Sequence, residues 1–227
     1  MLYRINVCDK AWTAKSPGFP SETTDRAKGD KDYWKDTLFK FGPKAPHTWL
    51  QALDDIFSGR LDVDGHPVYV MGCQPTIECL HLLGVRQTLE AVLGGAQAET
   101  RFIALLAGTV DPIDMRAARN TVNWYSVPAG SVYENNWLPG DWGSFHANGI
   151  DDNNLVYGKE NLLYAGDCFE ESDAGFRNNA MFFGNPNELQ TMLYWYNYVK
   201  GFPGSTGTVR VNTDRRYFAQ PAGARPN

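Results

Sequence analysis

Residues Gln74 to Gly95 read QPTIECLHLLGVRQTLEAVLGG. The apolar residues of this segment recur about every 3.6 positions, which is the period of one face of a helix. Thr76 stands before the first of them and is a good N-cap, and the paired glycines that close the segment are typical of a helix end. The segment therefore predicts a long helix whose first turn holds a glutamate directly beside a cysteine, Glu78 and Cys79.

A cysteine in the first turn of a helix is a candidate nucleophile. The positive end of the helix dipole and the unsatisfied backbone N–H groups there favour the thiolate over the thiol. The alternative is that Cys79 is only a small buried apolar residue, which is the commoner role of a cysteine. Glu78 is favoured by the same dipole and is weak evidence alone, but a carboxylate beside a thiol indicates acid–base chemistry.

A thiol nucleophile needs a group that accepts its proton, most often a histidine. Among the four histidines, His146 is the best placed, because the predicted strand DWGSFHA could carry it to a cleft. Glu160, which begins the predicted strand ENLLYAGDC, is the other candidate, and its alternative role is that of an ordinary solvated glutamate. The residues themselves leave a cysteine–histidine pair and a cysteine–glutamate pair open.

The chain divides into three predicted parts. Residues 1–46 are polar and proline-rich and are expected to form an irregular N-terminal lead-in, residues 47–200 the core, and residues 201–227 a C-terminal extension. Within the core, helical periodicity recurs in HTWLQALDDIFSGRL, AETRFIALLAG and NPNELQTMLYWYNYV, the last with Asn185 as N-cap and Pro186 in its first turn.

Short aromatic and β-branched runs parted by Gly, Asn, Asp and Pro predict strands. These runs are HPVYVMG, VNWYSV, DWGSFHA, ENLLYAGDC, NAMFFG and, near the C-terminus, GTVRVN. Most of the helices precede most of the strands, so we expect an α+β fold in which the cysteine-bearing helix packs on an antiparallel sheet.

Composition excludes several classes of protein. A hydrophobic fraction of 43% indicates a globular chain, and a net charge of −5 makes nucleic acid an unexpected partner. The first thirty residues lack the apolar core of a signal peptide, and the run FIALLAGTV is too short to span a bilayer, so we expect a cytoplasmic protein without a membrane span. Four irregularly spaced cysteines predict neither a disulfide scaffold nor a zinc site, and we expect no metal and no cofactor.

Three short motifs together resemble a known family. In chain order they are IECLHLLGVRQTLEAVL, LPGDWGSFHAN and KENLLYAGD, followed by a terminal helix. This order is similar to that of the bacterial spore-coat transglutaminases, which are protein-glutamine γ-glutamyltransferases with a compact NlpC/P60-type papain-like core. The resemblance implies Cys79 as the nucleophile, Glu160 and Glu78 as partly redundant carboxylates, and Gly140 and Asp141 as a structural pair at a strand entrance.

The activity implied by this resemblance is acyl transfer. Cys79 would form a thioester with a protein-bound glutamine, and a lysine amine would convert the thioester into an isopeptide cross-link, whereas water would give deamidation. The implied partners are proteins with accessible glutamine and lysine, and the resemblance allows signal-independent export or association with a spore coat. Two alternatives remain: a papain-like amidase or peptidase that uses Cys79 and His146, and a non-catalytic binding module.

Overall fold

A computed structural model gives the architecture of the protein. It describes residues 1–15, 17–18, 27–28, 30, 32–35, 42–106, 124–125, 137–150, 158–172, 175–184, 188–212 and 217–218.

Five helices are described. They are α1 (Leu2–Thr13), α2 (Trp49–Ile56), α3 (Cys73–Leu93), α4 (Gly95–Leu106) and α5 (Met192–Lys200). The predicted helices that became α2 and α4 are confirmed, and α2 begins with the capping box of Thr48 and Gln51. In the part of the chain that the structure describes, no helix has both the length and the apolar character needed to cross a membrane.

Nine strands complete the described elements. They are β1 (Ala27–Lys28), β2 (Val70–Met71), β3 (Trp124–Tyr125), β4 (Trp142–Ala147), β5 (Lys159–Ser172), β6 (Gly175–Phe183), β7 (Leu189–Thr191), β8 (Val209–Asn212) and β9 (Tyr217–Phe218). Five of them form one antiparallel sheet in the order β7-β6-β5-β4-β8. Two short ribbons, β1–β2 and β3–β9, lie outside it. The prediction of a mixed α+β chain with an antiparallel sheet is confirmed.

The central sheet separates two hydrophobic cores. Trp142, Leu163 and Phe183 belong to the larger core, which α1, α2, α3 and α4 complete. Phe145 and Leu162 point to the opposite face, where the smaller core is closed by α5. Because neighbouring residues of a strand face opposite ways, each central strand contributes to both cores.

The N-terminal residues differ from the prediction. Residues 2–13 were expected to be irregular, but they form α1, which packs along α3. The reason is a close approach that the sequence pattern did not reveal: a Cβ atom placed on Gly84 of α3 would lie 2.3 Å from Cγ2 of Val7. Glycine therefore lets the two helix backbones meet, and the contact buries Val7 and Ala11 completely.

The start of the last helix also differs from the prediction. The helix begins at Met192, and its N-cap is Thr191, whose hydroxyl accepts a hydrogen bond from the backbone N–H of Tyr194. The residues just before it, Leu189–Thr191, add strand β7 to the edge of the sheet. Residues 189–191 therefore pair with β6 as a strand, although their apolar pattern predicted a helix. The predicted cap at Asn185 and Pro186 lies outside the described residues.

Candidate active site

Helix α3 begins one turn earlier than predicted, at Cys73. Gly72, which ends the approach from β2, is the N-cap, and Pro75 lies in the first turn, where proline is tolerated because the N–H that it lacks has no intrahelical acceptor there. Thr76 is not the cap; its hydroxyl donates to the carbonyl of Gly72 (2.9 Å). The residue at the helix start is therefore Cys73.

Cys79 lies in the second turn of α3 and points into the larger core. Its side chain is 1% exposed. Burial and then the charge of Glu78 raise the pKa of the Cys79 thiol well above its usual range. This is the opposite of the thiolate stabilisation expected for a first-turn cysteine, and the expectation is wrong because the helix starts elsewhere.

Glu78 is also buried, at 4% exposure. Its Oε1 accepts a hydrogen bond from Nε2 of Gln74, one helical turn earlier (3.2 Å). Consecutive residues of a helix point about 100° apart, so Glu78 and Cys79 diverge from each other. Glu78 and Cys79 are thus both buried within α3 and point in different directions.

The structure brings Glu160 to Cys73 instead. Asn161, next to Glu160 on β5, donates from Nδ2 to the Sγ atom of Cys73 (3.3 Å). Cys73 as a whole residue is half-buried, whereas Glu160 and Asn161 are buried. Glu160 both hydrogen-bonds with the thiol and acts on it through its charge.

The pKa of the Cys73 thiol reflects these neighbours. Burial raises it, and the Glu160 carboxylate raises it further. The side-chain amide and the backbone N–H of Asn161 act in the opposite direction, because both donate toward sulfur and favour the thiolate. The net direction is upward, so the thiol is protonated near neutral pH.

Asn161 is held from its other side by Trp142. The indole Nε1–H of Trp142 donates to Oδ1 of Asn161 (3.1 Å), and this contact is buried. The antiparallel register of β4 and β5 places Asn161 opposite Ser144 and Glu160 opposite Phe145. Both consecutive residues of β5, Glu160 and Asn161, act on the Cys73 sulfur.

Tyr198 on α5 is the fourth member of this group. It is 36% exposed. Partial burial, the Glu160 charge and, to a smaller extent, Tyr194 and Cys73 raise the pKa of Tyr198 to about 12. The hydroxyl is consequently neutral at physiological pH and lies close enough to Glu160 and Cys73 to interact with both.

His146, the other predicted base, lies on β4 opposite Lys159. It is buried, and its Nε2 shares a hydrogen bond with Oγ of Ser144 (2.9 Å). The carboxylate and the amide that act on the Cys73 thiol belong to Glu160 and Asn161. Glu160 thus interacts with a cysteine at a helix start.

Gly140 and Asp141 form a tight turn at the entrance to β4. Gly140 has φ +87°, a conformation that glycine adopts without strain. The buried Asp141 carboxylate pairs with the guanidinium of Arg4 in α1 (2.8 Å) and accepts the backbone N–H of Leu138 (2.8 Å). The pair is positioned for a structural role, namely to tie α1 to the strand that carries Trp142.

Asp62, Asp64 and His66 bring three possible metal ligands within 4.8 Å of one another. All three are exposed, and the Oδ1 atom of Asp62 accepts the backbone N–H groups of the other two (2.9 Å each). The hydrogen bonds of the turn itself therefore account for this cluster.

The sequence prediction missed Cys73, Asn161 and Tyr198. A signal for Cys73 was present, since proline two residues downstream and glycine immediately upstream are typical of a helix start. Asn161 stands next to Glu160 in the sequence, but its contact with a cysteine 88 residues away depends on the strand register.

Comparison with known proteins supports the assignment of the fold. No family model and no curated protein matches the chain. Among solved structures, it is similar to the transglutaminase from Geobacillus stearothermophilus (without C-terminal extension), with a TM-score of 0.64 and 16% sequence identity over 96% of this chain and 89% of that chain. The chain therefore has a transglutaminase-like fold.

Proposed function

We propose that the protein is a cysteine-dependent acyltransferase on a papain-like core, with Cys73 as the nucleophile and Glu160 as the group that accepts its proton. The observation that carries this proposal is the contact of the Cys73 thiol, at the first residue of a long helix, with a buried carboxylate and an amide donor. A nucleophile in contact with a base that is itself held in a strand is the arrangement on which thiol catalysis depends.

The resting pair is a neutral thiol beside a carboxylate, because Glu160 raises the pKa of the Cys73 thiol. Deprotonation then accompanies attack. The thiol proton moves to Glu160 as the sulfur bonds to the carbon of a carboxamide, and the protonated Glu160 returns the proton to the departing nitrogen. The C–N bond breaks, ammonia leaves, and a thioester to Cys73 remains.

The start of α3 supplies donors for the oxyanion that forms during attack. The first N–H groups of a helix have no intrahelical acceptor and lie at the positive end of the dipole. Pro75 contributes none, so the N–H groups of Cys73 and Gln74 are the donors that we assign to the oxyanion.

The second half of the reaction is attack by an amine on the thioester. Glu160 accepts a proton from the incoming amine and returns it to the departing sulfur, so that an isopeptide bond forms and Cys73 is again a thiol. Water in place of the amine gives deamidation by the same steps. The transglutaminase-like fold supports a protein glutamine as acyl donor and a lysine amine as acceptor. The same proposal includes an NlpC/P60-type core and membership of the bacterial spore-coat type of transglutaminase. It also includes protein substrates and a role in protein cross-linking.

This assignment replaces Cys79 with Cys73 and gives Glu78 a structural role. The test is incorporation of dansylcadaverine into casein, measured without calcium and in the presence of EDTA. Cys73→Ser abolishes labelling in this proposal, whereas Cys79→Ser, the same substitution in the same helix, retains it. Loss of labelling in Cys79→Ser alone, with an unchanged melting temperature, would restore the original assignment.

Absence of labelling by the unmodified protein, combined with release of peptide or amide product from the same mixture, would favour the hydrolase alternative with His146. Absence of both reactions would favour a binding module.

A further inference from the structure

The hydrogen bonds that end at the Cys73 sulfur begin in the core. Trp142 is 2% exposed, and its indole N–H donates to Oδ1 of Asn161, which in turn donates from Nδ2 to sulfur. The two distances are 3.1 Å and 3.3 Å. A buried aromatic residue is thereby connected to the reacting atom through one amide group.

This connection has a direction that is fixed by the chemistry of its first member. An indole N–H is a donor and never an acceptor, so only the oxygen of the Asn161 amide can face Trp142. If the amide turned by 180°, its NH₂ group would face the indole N–H and its oxygen would face sulfur. That arrangement would lose both hydrogen bonds and set a carbonyl oxygen against the developing thiolate.

We propose that Trp142 is a positioning residue that locks the Asn161 amide with its NH₂ group toward Cys73, so that the sulfur always receives a donor from this side. The inference rests on the proposed role of Cys73 as nucleophile. It assigns to a core tryptophan a function beyond packing: control of the thiolate population through the orientation of one amide.

The fixed orientation of the Asn161 amide favours the Cys73 thiolate, whereas the Glu160 charge disfavours it. The Glu160 carboxylate disfavours the thiolate, and the Asn161 donors offset part of this effect. If the amide were free to turn, the offset would be lost in a fraction of the molecules. Removing the indole N–H should therefore make Cys73 less reactive, even though a smaller side chain loosens the packing around it.

The test is the rate of carbamidomethylation of Cys73 by iodoacetamide at pH 7.5, followed by mass spectrometry of the individual cysteine peptides. We expect Asn161→Ala to slow the reaction about three- to tenfold, because a hydrogen bond to a charged group is lost while the intrinsic nucleophilicity of sulfur rises in part compensation. Trp142→Phe should slow it about threefold in the natural background. In the Asn161→Ala background the same change should have no further effect, because there is no amide left to orient.

Trp195→Phe is the matched control. Trp195 is fully buried in the smaller core, and its indole N–H donates to the carbonyl of Phe182 (2.9 Å). This substitution removes an equivalent group away from Asn161 and should leave the Cys73 rate unchanged. Replacement of Trp142 by benzothienylalanine, in which sulfur takes the place of the N–H in the same ring system, separates the hydrogen bond from ring size and should slow alkylation as Trp142→Phe does.

Faster alkylation in Trp142→Phe would mean that the tryptophan only shields the thiol, and an effect equal in the two backgrounds would mean that it does not act through Asn161. Either result overturns the lock. Alkylation requires no turnover, so the alkylation rates test the role of Trp142 by themselves. The acyltransferase proposal is tested separately, by amine incorporation.

Discussion

Replacement of Glu160 by glutamine should make the alkylation of Cys73 by iodoacetamide faster and the amine incorporation catalysed through Cys73 slower. The substitution keeps the size of the side chain and removes its charge. Two unit charges about 4 Å apart interact by about 4 kcal/mol at an effective dielectric constant of about 20. This energy corresponds to about 3 pKa units, and partial solvent screening around the half-buried residue Cys73 reduces the expected fall in its pKa to about two.

A fall of about two units raises the thiolate fraction about a hundredfold at a pH below the pKa, while the nucleophilicity of the thiolate falls about eightfold. Carbamidomethylation of Cys73 should therefore become about tenfold faster in Glu160→Gln. Amine incorporation should become about 10²- to 10⁴-fold slower, since the general base is gone.

Both rates are measured at pH 7.5 on the same preparation, with thermal melts as a check of folding. Glu78→Gln is the matched control, because it neutralises another buried glutamate, and both of its rates should stay within a few-fold of the original. If alkylation and transfer fall together in Glu160→Gln, then Glu160 maintains an ionised Cys73 in the resting enzyme, and the reasoning from the raised thiol pKa is refuted.

Three further outcomes are expected. His146→Ala should keep amine incorporation within a few-fold, and a loss as large as that of Glu160→Gln would favour a cysteine–histidine hydrolase. Burial and the nearby Arg4 lower the pKa of His81 to about 3 in the folded protein, against about 6.5 in the unfolded chain. The free energy of unfolding that depends on neutral His81 is therefore fully present above pH 6.5 and decreases by about 1.4 kcal/mol per pH unit as the pH falls toward 3. Urea titrations at several pH values should show this slope, and the slope should be absent in His81→Asn. Gly84→Val should lower the free energy of unfolding by about 1–3 kcal/mol through its clash with α1, and Val7→Ala should recover part of the loss; an unchanged urea midpoint would contradict the close contact.

Periodicity in the sequence predicted α2, α3 and α4 but missed α1 and the start of α3. The apolar spacing of α3 starts after its first turn, because Cys73, Gln74 and Pro75 lie at the partly exposed helix start and carry no apolar stripe. The prediction therefore began the helix where the apolar pattern begins. Backbone chemistry at Gly72 and Pro75, rather than hydrophobicity, marks the true start.

The partners of the site residues could not be obtained from local pattern at all. Glu160 was predicted because it opens a strand, and the structure does place it at a cysteine. Which cysteine it meets depends on the register of β4 and β5 and on where α3 crosses them, and these are set by packing of the two cores. Glu78 and Cys79 are adjacent in sequence, but the helix geometry turns them apart and buries both.

The ion pair between Arg4 and Asp141 also determines an order of events during synthesis, because 137 positions separate its members. A ribosome that adds about 5–20 residues per second needs roughly 7 to 27 seconds to travel that distance. Helix α3 is complete by residue 93, so α1 can dock against it well before the strand entrance exists. The packed pair of α1 and α3 is thus expected to form early in the nascent chain. The ion pair between Arg4 and Asp141 forms later, after the strands of the sheet have been synthesised.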